Sequence, residues 1–513
     1  MPIDAAQLAY LQHLAAEDGT KQGWIRTLRE YMVGEQPVYL TDRQKEFIGL
    51  KEPDAKKLFS HNLCQLVVSA PVERLDVTGF GAVKVTGEDG MESEVGDSVT
   101  LTRLASAWWE QNRMDAGQDD VYEAACRDGE AFLIVDWHEL EQRPRWTVHE
   151  AYDGTQGMKI HYDPDTDAPL FASLRWQTSD PMEKGSTGKT RVTLYFPDRI
   201  EKYISKGGDP TFEGDWDTII DFEGDPDNGI EPEPWPLPWV GADRKPLGLP
   251  VMHFENPGGS EIADLIPIQD MVNKSDLDLI ATADMSGFRL LWLSGVAPII
   301  DVETGEEKTQ TISPMTLLRL TDPQARAGAI EPADLTKMTD TSRYWIESAA
   351  GVTRTPHFLL RASGADQPSG ESLKMQETGL VAKVLRKQKV FGNVWEDAVY
   401  LSARLTALKD PGGITDARLQ TRWADPETRN EVEQSQIAER MFKIGVPLPT
   451  ILSKVYRMTQ EEIDEVMDMV AETQDDEINR GLDTFAARFN GGLVGEGVAG
   501  NGIRGTDNGQ GGT

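Results

Sequence analysis

The sequence predicts an α+β fold in which helical stretches at both ends of the chain enclose a central run of short alternating strands. Three observations predict it. Apolar residues recur at helical intervals near the start and again over a long stretch after Glu371; period-two segments fill Ala131 to Tyr203; and turn formers are abundant, with 47 Gly and 29 Pro. At 513 residues the chain also exceeds what one hydrophobic core usually serves, so more than one packed region is expected.

From Ala5 to Arg29, Leu8, Leu11, Leu14, Ile25 and Leu28 fall at helical spacing, broken at Asp18-Gly19 and ended by Gly34-Glu35-Gln36-Pro37. Two short helices open the chain. A helix over Leu58 to Ala70 follows, with Pro71 as a kink or a boundary before the extended segment Arg74 to Phe80. Further helices are expected at Ala105 to Gln111 and Asp119 to Asp128. The segments AFLIVDW, RWTVHEAY, MKIHYD, LFASLRWQ and RVTLYFPDRIEKYI, separated by DPDTDAP and EKGSTGK, read as one antiparallel sheet. The acid-, Gly- and Pro-rich stretch from Phe212 to Trp239 is a surface excursion, and Leu249 to Phe254 resumes a strand.

Ser260 then precedes one long helix carrying Ile262, Leu265, Ile266, Ile268, Val272, Leu279 and Ile280, ending near Gly287 or Leu291. After an irregular insertion of about forty residues, Asp334 to Ala350 is helical again. Val352 to Gly370 shows no helical period. From Glu371 to Lys409 the apolar positions Leu380, Val384, Phe391, Trp395, Ala398, Leu401 and Leu405 define a helix roughly 55 to 60 Å long, with Gly379 and Gly392 as possible bends. RLQTRWADP returns as a strand, a small helical bundle interrupted at GVPLP follows, and ten Gly among the last 24 residues predict a disordered tail.

Charge narrows the function. With 51 Lys+Arg against 86 Asp+Glu, the net charge of −35 has the wrong sign for a protein that grips phosphate backbones by displacing counterions. No run approaches the ~20 apolar residues of a membrane span, and the amino terminus does not resemble a signal sequence, so a cytosolic site of synthesis is expected. The two cysteines, Cys64 and Cys126, lie far apart and match neither a disulfide framework nor a zinc spacing.

Candidate chemistry is weak throughout. GSTGKT, Gly185 to Thr190, lacks the first glycine of a phosphate loop, since Glu183 stands there, and a strand follows it where a helix is needed; a hairpin turn is expected. Asp163 to Leu170 alternates aspartates like a calcium loop, but Ala168 and Leu174 replace the turn glycine and the bidentate glutamate. His149 and His161 fall on different strands. No catalytic site, metal or cofactor is expected.

Taken in order, RTLREYMVGEQPV with LCQLVVSAPVERLDVTGF, then ENPGGSEIADLIPIQDMVNKSDLDLIATADMSGFRLLWLSG, SAAGVTRTPHFLLRASGADQPSGESLK and WADPETRNEVEQSQIAERMFKIGVPLP resemble the portal family of tailed bacteriophages, in particular siphovirus-type portals of phages infecting actinobacteria. The resemblance covers nearly the whole chain. It implies an α/β wing over 1–259, a stem helix at 260–293, a small α/β clip at 294–333, a second stem helix at 334–351, a tunnel loop at 352–370, a spine helix with a wing strand at 371–425, a helical crown at 426–482 and a Gly-rich tail at 483–513.

The resemblance also implies a head-to-tail connector in the virion, assembled in the host cytoplasm as a dodecamer at one capsid vertex. Its partners would be the terminase large subunit, major capsid and scaffold proteins, head-tail adaptor proteins, and double-stranded DNA passing through the channel with weak contact; no membrane is involved. A window from Arg354 to Lys389 carries seven basic residues against three acidic ones, +4 within a chain of −35. Within it, Arg354, His357, Arg361 and Lys374 are the candidates for transient contact with DNA at the narrow point of the channel. Against this stands the reading that the basic run decorates a helix face or pairs with a neighbouring subunit. Alternatives for the whole chain are another virion component, such as an adaptor or minor capsid protein, or a packaging-associated ATPase or nuclease.

Overall fold

The structure is a computed structural model that describes residues 21–36, 61–82, 84–86, 92–94, 98–154, 156–178, 188–205, 216–219, 234–287, 291–294, 324, 326–329, 334–360, 370–409, 419–427, 431–456 and single positions between 463 and 470. It is α+β, and it falls into two compact units, 1–427 and 428–513. The expected Gly-rich tail and most of the insertion between the two central helices lie outside the described residues.

In the first unit residues 21–32 are helical, and Gly34, at φ 79°, ends the turn that follows. Leu28 and Tyr31 pack with Leu63, Cys64, Val67 and Val68 of α1 (Leu63–Val72), which Asn62 caps by accepting the Gln65 N–H at 3.3 Å. Pro71 sits inside the last turn of α1, so the helix runs one residue past it.

Next come β1 (Val77–Ala82), the short pair β2 (Lys84–Thr86) and β3 (Glu92–Glu94), α2 (Ser98–Gln111) and α3 (Met114–Asp128). Both helices start earlier than the apolar period alone suggests. Gly129 closes α3 at φ 95°, where a side chain would also meet the backbone nitrogen of Ser260 at 3.1 Å.

The strands from β4 (Glu130–His138) to β9 (Arg199–Ser205) do not form the single sheet expected of residues 131–203. β4, β5 (Arg143–Glu150) and β12 (Val251–Glu255) make one antiparallel sheet with β4 in the centre. β6 (Gly157–Tyr162), β7 (Pro169–Thr178), β8 (Lys189–Tyr195), β9, β10 (Trp216–Thr218) and β11 (Leu237–Pro238) make another. The reason lies in β4. Ala131, Leu133 and Val135 enter the main core while Phe132 and Ile134 enter a second cluster with Met158, Ile160 and Leu174, so the strand is buried on both faces and reads as a continuous apolar run.

After β12 the chain turns at 256–265 and enters α4 (Ile266–Gly287). The helix begins six residues later than Ser260 suggests, because Pro267 has no N–H to donate and is tolerated only in a first turn. β13 (Leu291–Ser294) and β14 (Arg326–Ala329) pair between α4 and α5 (Leu335–Thr353), and Asp334 caps α5 by accepting the Thr336 N–H at 3.0 Å. Ser342 of α5 donates to Asp276 of α4 at 2.8 Å. Within the segment read as aperiodic, α5 extends to Thr353 and His357–Leu360 form one helical turn, α6.

Helix α7 (Gly370–Lys409) has 40 residues, about 60 Å at helical rise, and is helical through both interior glycines. Gly392 is there for a close approach: a side chain would meet Trp423 Nε1 at 3.2 Å, and the Gly392 carbonyl accepts the Thr421 hydroxyl at 3.0 Å. Those partners belong to β15 (Leu419–Trp423), which pairs with β1 across the whole unit. At Gly379 a methyl group would find only ordinary contacts with Arg354, at 3.6 and 3.7 Å. Thermal melts should therefore separate the two: Gly379→Ala is expected to stabilise by up to about 1 kcal/mol, whereas Gly392→Ala is expected to destabilise by roughly 1 kcal/mol through overpacking.

The second unit contains α8 (Glu431–Ile444), a break where Gly445 takes φ 91°, the short helix α9 (Leu448–Ile451), and a π turn at Leu452–Tyr456. Ile451, Leu452, Val455 and Ile463 are buried within it.

Candidate functional site

Arg354 is the residue at which α5 ends. Its backbone is left-handed, at φ 54°, its N–H donates to the Ala350 carbonyl, and its side chain is exposed. Pro356 then starts the single turn that carries His357, whose Nε2 stands 3.7 Å from Glu347 Oε1 and is otherwise without a hydrogen-bond partner among the described residues. Arg354 and His357 line one open depression of about 550 Å³ with Glu347, Pro356 and Gln376. Lys374 is exposed on α7 and does not line it, and Arg361 lies outside the described residues. Two of the four sequence candidates are thus brought together, beside a carboxylate.

Two other cations of the basic window have a different role. Lys383 Nζ lies 2.6 Å from Glu261 Oε2, and Lys387 Nζ lies 2.7 Å from Glu261 Oε1 and also bonds Asn256 Oδ1. Lys387 is 1% exposed, with Glu261 at 11%. Burial alone would raise the Glu261 carboxyl, but Lys387 and Lys383 outweigh it and hold the group below the usual carboxylate range.

Around this carboxylate four elements converge. Glu261 N–H donates to Cys126 O at 2.8 Å and Asn256 N–H to Gly129 O at 2.9 Å, while Ser260 Oγ donates to Arg127 O, so the turn before α4 satisfies the last carbonyls of α3. Lys383 also donates to Thr353 O at the end of α5. Lys383 and Lys387 thus neither decorate an exposed helix face nor wait for a neighbouring subunit: they face the protein interior and pair with Glu261 of the same chain. Sequence reasoning missed this junction, although a signal existed: Lys387 falls on the apolar stripe Leu380, Val384 and Phe391, where an unpaired cation is costly.

The motifs set aside in the sequence lie at or beside strand connections. β7 and β8 pair from Thr178↔Lys189, so the chain around GSTGKT closes a hairpin, with 179–187 outside the described residues. Asp163 accepts the Asp165 N–H at 2.8 Å and its backbone bonds Asp167 and Ala168, which makes the turn between β6 and β7. His149 and His161 bond Gln156 and Ser173. Both thiols are buried and protonated, with burial pushing Cys64 up to about 12 and Cys126 up to about 11. No cluster of potential metal ligands occurs among the described residues.

The model of the family described as "Phage portal protein, SPP1 Gp6-like" matches residues 25–477. The chain belongs to this phage portal family. It is similar to the portal protein of Mycobacterium phage D29, at 24% identity over 79% of this chain and 78% of that one. The portal protein of Mycobacterium phage L5 is 23% identical with the same coverage. For a portal protein of this family, the structure leaves Arg354 and Lys374 exposed at the ends of two helices, and commits Lys383 and Lys387 to Glu261.

Proposed function

We propose that the chain is the subunit of a ring, a dodecamer at a single capsid vertex of the virion, through which double-stranded DNA is packaged and ejected. The observation that carries this reading is the family match across residues 25–477, which spans both units of the fold. The proposal includes docking to the terminase large subunit during packaging and to head-tail adaptor proteins afterwards. It includes contacts with major capsid and scaffold proteins, assembly in the host cytoplasm, and no catalytic activity of its own. Charge supports it: at −35 per chain the wall of such a channel repels phosphate, and a few exposed cations supply shallow contacts that hold the duplex without stalling it. Electron microscopy of the purified chain, alone and with scaffold protein, should give twelvefold rings with a central hole wide enough for a duplex. A stable oligomer without rotational symmetry would refute the reading.

Arg354, His357, Arg361 and Lys374 are proposed to touch the DNA backbone at the narrow point. Arg354→Gly tests this, because glycine suits the left-handed backbone and so removes the side chain, guanidinium included, without straining the cap. Combined with Lys374→Glu, it is expected to shorten or release packaged DNA while leaving the melting temperature unchanged or raised. Unchanged DNA length and retention would remove these residues from the channel wall.

A further inference from the structure

Between Met375 and Lys389 the exposed residues on one face of α7 form a stripe, Met375, Thr378, Ala382, Leu385, Arg386 and Lys389, and the first exposed acid on that face, Asp397, comes two turns later. Met375 is 80% exposed and Leu385 44%, and neither Arg386 nor Lys389 has an ion pair among the described residues. The stripe runs about 21 Å along the helix. It holds cations and large apolar side chains and no acid, a composition suited to a protein surface with a charged rim and less suited to a duplex backbone, which selects for cations alone.

The complementary surface is present on the same chain. The exposed positions of α3 include Ala116, Asp119, Asp120 and Glu123, three acids on two helical turns. Among the described residues, Glu123 is the one of these with a cation near it, Arg127 at 3.7 Å. Burial, Asp76 and Asp120 together push the Asp119 carboxyl above the usual range, so these acids repel one another in the isolated chain. The two stripes do not meet within one protomer. Tyr122 and Phe391 stack at 5.6 Å where α3 and α7 face each other, and no ion pair among the described residues joins the exposed stripe of one helix to that of the other.

We infer that the outward stripe of α7 docks onto the acidic face of α3 on a second copy of this chain. Two different patches that complement each other generate a head-to-tail contact, which closes into a ring when the rotation between copies divides the circle. The inference rests on the ring proposed above and assigns one of its surfaces.

The test uses two full-length chains, Ala382→Cys and Ala116→Cys, both at exposed helical positions, with a short bis-maleimide; the native thiols are buried. The mixture is expected to give a cross-linked dimer several-fold in excess of either chain alone. Adding Arg386→Glu and Lys389→Glu to the first chain should cut the yield about tenfold. Adding Asp119→Lys and Asp120→Lys to the second should restore it. Rings without the cross-link would overturn the inference and leave the ring reading standing. A cross-link indifferent to charge reversal, or a reversal that impairs only DNA retention, would also overturn it. Absence of rings from the wild-type chain, with or without scaffold, removes the ring reading and this inference with it.

Discussion

Glu261→Ala is expected to lower stability by about 3 to 5 kcal/mol, because it leaves Lys387 buried without its counter-charge. The cost is large for three reasons. Lys387 is 1% exposed and has no route to water; Lys383 loses the same partner; and the turn that satisfies the last carbonyls of α3 is tied to α7 through this carboxylate. Chemical denaturation followed by tryptophan fluorescence should show the lowered midpoint. A midpoint within error of the wild type would show that Lys387 finds another partner and that the junction does not hold α7 in place.

The same group sets a pH dependence. Its folded carboxyl is held below the ordinary glutamate value, so as pH falls the unfolded chain takes up the proton first. The stabilisation is therefore complete above about pH 4.3, the ordinary value, and is lost as the pH drops through the lowered folded value. Glu261→Gln should lack this part of the acid dependence while keeping the shape of the side chain. Equal acid sensitivity in the two chains would place the acid-labile group elsewhere.

Trp395→Ala is expected to cost about 3 to 5 kcal/mol as well, through a different mechanism, the cavity left by a fully buried indole. Trp395 lies 4.9 Å from Trp109, 5.9 Å from Trp146 and 4.7 Å from Phe254, ring to ring, and its Nε1 donates to the Tyr122 hydroxyl at 2.9 Å. One residue thus joins α7 to α2, α3, β5 and β12. Removing it also takes away the donor to a buried phenol, which adds to the cavity term. Trp395→Phe should recover a large part of the loss but not the hydrogen bond. The readouts are the denaturation midpoint and the near-ultraviolet circular dichroism of the tryptophan cluster; an unchanged aromatic signal in Trp395→Ala would mean that the cluster does not depend on this residue.

Both predictions concern residues that the sequence displays without explaining. Trp395 stands on a legible apolar stripe, so its burial is readable, but its four partners come from segments up to roughly three hundred residues away. Lys383 and Lys387 read as part of a basic window, and only the fold reveals that they are spent on Glu261, more than a hundred residues earlier. Arg354 was legible as a cation after a helix, whereas its left-handed cap and its proximity to His357 were not.

What the sequence by itself determined is local or cumulative: the α+β class, the helices with their three-to-four period, the turn nature of the false calcium motif, the acidic charge, and the resemblance to phage portals that the family match bears out. Each of these depends on neighbours within a few residues or on sums over the chain. Only the tertiary structure decided that β4 and β5 part from the strands after them to form a sheet with β12, that β1 pairs with β15, and which cations face inward. Strand pairing and buried ion pairs join residues that the chain separates widely, and a strand covered on both faces loses the alternation that would have revealed its neighbours.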